Sequence, residues 1–320
     1  MVEHVARAFG ESVKPMLSVE AQIAHLEARG VSFEVCGKEE ASEYLAEKNN
    51  YYKVASYRKL FAVRRGGPHD GEYANLDFAY LKDLSAIDQN LRYALLPMTL
   101  DIEHFAKVKL LSMIEAREGG DGYTVVEDYL AALAKPRRSR IEGELDVMSR
   151  DPYCGDMVAR YRRGMPVWVF VEAVSFGTFI GFYRFCADRW NDSGLKDEHY
   201  LLRQAKAVRN ASAHSSNVVN GFGRRDSRIG NYKPVSDALA SIGVSKALRR
   251  KKMGNAAIQQ ITATLYAYTR MACGESSRRR TAESLAALGR RMDEHGSYYA
   301  SNTTICSSFE FLKRLFDSWF

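Results

Sequence analysis

Residues 77–116 read DFAYLKDLSAIDQNLRYALLPMTLDIEHFAKVKLLSMIEA, and their periodicity decides the fold class. Leu81, Leu84, Ile87, Leu91, Leu95, Met98, Ile102, Phe105 and Val108 step by three or four, which lays one apolar stripe along a long amphipathic helix. Pro97 falls inside the stripe and predicts a kink or a division there, because proline has no N–H and its ring collides with the preceding turn. Working outward, the same period recurs. Ser18 caps a run holding Val19, Ile23 and Leu26, Gly30 stops it, and a second helix is expected over 38–48. Gly66-Gly67-Pro68 and Asp70-Gly71 mark a loop over 64–72 and a boundary. Beyond the long helix, further helices are expected near 125–134, 156–163, 196–213, 255–271 and 281–292, and Phe309, Leu312, Phe316 and Trp319 share one face of an aromatic C-terminal helix. Strand patterns are scarce. The expectation is an all-α helical bundle with an N-terminal helical region (1–76), a core (77–222) and a basic C-terminal helical region (223–320).

Composition bounds the function. The 320 residues are 46% hydrophobic and 27% charged, a globular balance, and the net charge of +7 points to a polyanionic partner. The five cysteines are far apart with no paired metal-ligand spacing, which predicts free thiols in a reducing cytosol. The opening residues lack the continuous apolar core of a signal peptide, so a cytoplasmic location is expected. The most apolar stretch, 166–185, contains Glu172, and a carboxylate at a membrane centre costs a few kcal/mol. A buried core helix is therefore predicted there, no membrane association is expected, and Glu172 is expected to need a partner.

Chemistry concentrates in residues 201–222, LLRQAKAVRNASAHSSNVVNGF. A helical approach delivers Arg209, Asn210 and His214 before the chain breaks into Ser, Asn and Gly. Asn210 and His214 share a face at i,i+4, with Arg209 one step round, so the three border one groove. Imidazole exchanges protons near neutral pH and guanidinium forks onto phosphate oxygens, a combination suited to phosphodiester chemistry. The spacing alone is weak, since about two such Arg/His matches arise by chance in a chain of this composition. Three occur. Arg64/His69 lies in the glycine-rich loop and Arg290/His295 ends a charged helix, whereas Arg209/His214 alone carries the asparagine.

Basic runs supply candidate RNA-binding residues: Arg137, Arg138 and Arg140 in a predicted turn, then Arg224, Arg225, Arg249, Arg250, Lys251 and Lys252. Tyr51-Tyr52-Lys53 and Tyr57-Arg58-Lys59 interleave aromatic and basic side chains, which fits either base stacking or core tyrosines beside a solvated face.

A series of motifs in fixed order carries a resemblance. Lys14-Pro15-x-Leu17, Arg29-Gly30, Asn50-Tyr51-Tyr52-Lys53 and Ser56-Tyr57 lead to Asp88-x-x-Leu91-Arg92 and Ile102-Glu103. Pro166-x-Trp168, Glu172-x-x-Ser175-Phe176-Gly177 and Arg209-Asn210-x-x-x-His214 complete it. In these the chain resembles the AbiD/AbiF-type abortive-infection family, antiphage proteins with a HEPN-like helical RNase core. The resemblance implies that residues 77–222 form a HEPN-like catalytic core and that Arg209, Asn210 and His214 match its Arg-x4–6-His motif. It further implies a dimeric, metal-independent endoribonuclease with no cofactor, and a small noncoding RNA as regulatory partner. After His214 the chain departs from its relatives, with only Asn220 matching. The rival expectation is a non-catalytic RNA-binding protein that arrests growth by sequestration; it needs no imidazole at position 214.

Overall fold

The computed structural model describes residues 16–224, 232–272 and 274–320. The fold is all-α, and among the described residues strand structure is limited to a two-residue parallel pair. Helix α1 (Val19–Glu27) begins at Ser18, whose hydroxyl accepts the Ala21 N–H at 3.2 Å. Gly30 then turns the chain with φ +80°; a Cβ there would stand 2.9 Å from the Tyr73 carbonyl, so only glycine fits. Strand β1 (Val31–Ser32) pairs with β2 (Leu76–Asp77), and α2 (Lys38–Glu43) runs into a π-helical turn over Tyr44–Lys48. Helix α3 (Tyr51–Ser56) continues as a 3₁₀ turn, Tyr57–Leu60.

Asp77 joins this N-terminal part to the long helix α4 (Phe78–Arg117). One carboxylate oxygen caps the helix at Ala79 N–H, and the other accepts the Ser32 hydroxyl and the Glu34 N–H, both at 2.8 Å. Helix α4 runs for 40 residues without a break at Pro97, whose ring faces the exposed side. The apolar stripe also shifts. Past Ile102 the buried positions are Ala106, Leu110 and Ile114, while Phe105 is half-buried and Val108 is 50% exposed. Steps of four fall closer to the 3.6-residue repeat here than the predicted steps of three.

Helices α5 (Thr124–Ala131), α6 (Lys135–Met148) and α7 (Gly155–Arg160) follow. The basic segment 135–140, predicted as a turn, is the first turn of α6. Pro136 stands at its start, where a missing N–H costs nothing. The predicted single core helix over 166–185 is two, α8 (Val167–Ala173) and α9 (Phe176–Arg189). Val174 is extended between them and Ser175 caps α9, so Glu172 lands on the outer surface, paired with Lys107 at 3.6 Å.

Helix α10 (Ser193–Ala213) packs along α4, α9 and α13 (Ala256–Met271). Helices α11 (Lys233–Ser241), α12 (Lys246–Met253), α14 (Glu275–Glu294) and α15 (Thr303–Trp319) complete the chain, α14 against α4 and α15 against α13 and α14. Side chains from Ile23 to Phe316 share one hydrophobic core. Among the described residues no helix is long and apolar enough to cross a membrane.

Candidate active site

The C-terminus of α10 presents the motif, and backbone bonds define its ending. His214 caps the helix, its N–H donating to the Asn210 carbonyl at 3.0 Å. Ser215 follows in the left-handed region at φ +53°. Its N–H donates to the Ser212 carbonyl at 3.2 Å, and the Ser216 N–H reaches back to the Ala211 carbonyl at 2.9 Å. This is a Schellman ending with serine where glycine is the usual occupant. Arg209 and Asn210 are half-buried and His214 is exposed. The Asn210 amide oxygen faces the Arg209 guanidinium at 3.4 Å, and among the described residues its side chain makes no hydrogen bond to the imidazole.

A cradle from the N-terminal half holds the segment after His214. Lys53 Nζ donates to the Ser215 carbonyl at 2.9 Å, and the Asn217 amide returns a bond to the Lys53 carbonyl at 3.0 Å. Ser56 Oγ accepts from the amides of both Asn217 and Asn220, the latter at 2.6 Å. On α4, Asp88 accepts the Val219 N–H at 2.7 Å with one oxygen and Arg92 Nε at 3.0 Å with the other. Asp88 and Arg92 are buried, at 0% and 4% exposure. Burial raises the Asp88 carboxyl above the usual carboxylate range, while the Val219 N–H and the Arg92 charge pull it back. Burial, followed by the Arg92 charge, lowers the Lys53 ammonium.

Of the two other Arg/His spacings, His69 pairs with Glu72 at 3.1 Å on an exposed loop. His295 stacks on Tyr298 at 4.8 Å between ring centroids, far along the chain at the C-terminal cap of α14. Among the described residues no three His, Cys, Asp or Glu side chains are grouped so as to hold a metal ion.

The predicted RNA-binding residues differ in presentation. Arg137, Arg138 and Arg140 are exposed on the first turn of α6, with Arg138 paired to Glu142 at 3.0 Å. Arg224 is exposed and Arg225 lies outside the described residues. Arg250 and Lys251 are exposed on α12, while Arg249 is half-buried and donates to the Val244 carbonyl. Lys252 does not share their surface: it is 4% exposed, its ammonium 3.0 Å from the hydroxyls of Ser307 and Ser308. Periodicity explains this, because the run forms a helix capped by Ser245 and one side of any such helix must face the core.

The cradle residues Lys53, Ser56, Asp88 and Arg92 were present in the ordered motifs without a role. The bonds of the first three to the segment after His214 cross 131 to 164 residues, a pairing no local pattern encodes. The fold and site thus define an all-α protein with an Arg-Asn-His helix end secured by its own N-terminal half. The chain belongs to the Abi-like protein family, whose match covers residues 43–220. That span includes both sides of the cradle, from Lys53 to Asn220. Comparison with curated proteins and with solved structures returns no match.

Proposed function

We propose that this protein is a metal-independent endoribonuclease of abortive infection, with residues 77–222 as a HEPN-like core and the active site at Arg209, Asn210 and His214. The observation that supports this most is the cradle, in which Lys53 and Ser56 of α3 and Asp88 of α4 bond to the segment that carries His214 away from α10, with Arg92 bonded to Asp88 behind it. An exposed imidazole at an ordinary helix end needs no such support. In the proposed reaction the RNA 2′-hydroxyl attacks the adjacent phosphorus and the P–O5′ bond breaks, leaving a 2′,3′-cyclic phosphate and a 5′-hydroxyl. His214 moves the proton, and Arg209 stabilises charge gathering on the phosphate oxygens. DNA lacks the attacking group and is resistant. The active form is a cytoplasmic homodimer, restrained by a bound small noncoding RNA.

The test is His214→Ala. Proton transfer by a positioned side chain is worth about 10²- to 10⁴-fold, so cleavage and growth arrest fall by that factor while melting temperature and RNA affinity hold. Cleavage by wild-type protein continues in EDTA. Full cleavage by the variant removes the reaction from this site. A second reading, arrest by RNA sequestration, draws on Tyr52, which is 69% exposed beside Lys53 and suited to base stacking. It predicts that His214→Ala still arrests growth.

A further inference from the structure

Helix α9 carries Gly177 and Gly181 one turn apart, and each bare position is occupied by a cation from another helix. At Gly177 the visitor is Lys206 of α10, whose Nζ lies 2.7 Å from where a Cβ would stand. At Gly181 it is the Arg137 guanidinium of α6, next to the Tyr129 hydroxyl. Neither Arg137 nor Lys206 forms an ion pair among the described residues. Glu144, which reaches the start of α9, is committed to the hydroxyls of Ser175 and Thr178. Lys206 stands three and four residues before Arg209 and Asn210, on the same flank of α10 and about 5 Å along its axis. Arg137, Lys206, Arg209 and His214 therefore succeed one another across α6, α9 and α10. Two unpaired cations on a glycine floor, leading to a guanidinium and an imidazole, suit a chain of regularly spaced phosphates.

We propose that Gly177 and Gly181 form the floor of a strand-binding subsite in which Lys206 and Arg137 hold the phosphodiester backbone of single-stranded RNA entering the Arg209/His214 site. The subsite rests on the assignment of RNA cleavage to that site. A side chain on the floor would meet the far ends of Lys206 and Arg137 and drive both cations outward. Lys206 was not among the candidates read from the sequence, whereas Arg137 was read there as a candidate RNA-binding residue.

The experiment uses the full chain and a 2′-O-methyl RNA oligonucleotide, which binds but lacks the attacking hydroxyl. Affinity is followed by fluorescence anisotropy across a salt series. Each lost phosphate contact on a single strand lowers the slope of log affinity against log salt by about 0.7, so Lys206→Gln and Arg137→Gln each lower it by that amount. Lys38→Gln, the control, removes a cation already paired with Glu27 and leaves the slope in place. The variant Gly177→Ala keeps every charge yet weakens binding. Its melting temperature does not fall, since the added methyl meets only the flexible end of Lys206 and alanine favours a helix over glycine. Slopes unchanged in both glutamine variants overturn the subsite, as does a wild-type chain that holds no RNA. Cleavage of unmodified RNA is measured in parallel. Uncut RNA with the expected slope changes would overturn cleavage and leave the subsite standing; cut RNA with unchanged slopes would do the reverse.

Discussion

Asp88 is buried yet serves two donors, the Val219 N–H and the Arg92 guanidinium, and so neither partner is left without a bond in the interior. A hydrophobic residue at position 88 would pack, but Arg92 would then be an uncompensated buried charge. Lys252 shows the converse, a buried ammonium whose bonding partners are neutral hydroxyls. Burial first, then the Lys251 charge, lowers it from 10.5 to about 8, with Glu310 opposing. The folded state therefore releases a proton that the unfolded chain still holds between those two values, and stability contributed by this group rises with pH across that window. The urea midpoint is expected to climb from pH 8 toward 10, where tyrosines begin to ionise. Lys252→Met flattens that climb. Equal pH dependence in the two proteins would show that the ammonium carries no burial penalty.

Among the elements, α4 departs most from what local rules predict. Pro97 removes the N–H that would bond the Tyr93 carbonyl, yet the helix continues because buried side chains on both sides of it, Leu95 and Met98, are anchored in the core. Tertiary packing outweighs a local penalty of about 3 kcal/mol. Pro97→Ala restores the missing bond on an exposed surface, so it is expected to raise unfolding free energy by about 1–3 kcal/mol, measured by urea titration. A fall in stability would mean that the ring itself is needed there. The division between α8 and α9 follows the opposite logic. A local signal, the Ser175 cap, prevails over continuous apolar composition, and that break places Gly177 at the beginning of α9 opposite Lys206.

For the whole molecule, the proposed reaction needs a base for the 2′-hydroxyl proton and an acid for the leaving oxygen, and one chain offers a single motif histidine. In the dimer we propose, a two-fold axis would supply His214 twice to one groove. Dimers purified with one wild-type and one His214→Ala subunit are expected to cleave at close to the rate of the doubly substituted dimer. Half the wild-type rate would indicate independent sites, each complete in its own chain.

The sequence by itself determined the helical class, the extents of most helices and the Arg209-Asn210-His214 motif, because each is written in contacts three or four residues apart. The Ser18 cap and the apolar period of residues 77–102 are of that kind. The positions of Glu172 and Lys252 were not. Glu172 sits in an apolar run yet faces outward, while Lys252 sits in a basic run yet faces inward, since burial depends on which side of a helix meets a neighbour. Only the tertiary structure brought Lys53 and Asp88 to the segment after His214, and Lys206 and Arg137 to the two glycines of α9. Those meetings join residues far apart in the chain through hydrogen bonds and vacant volume, and neither leaves a periodic trace in the sequence.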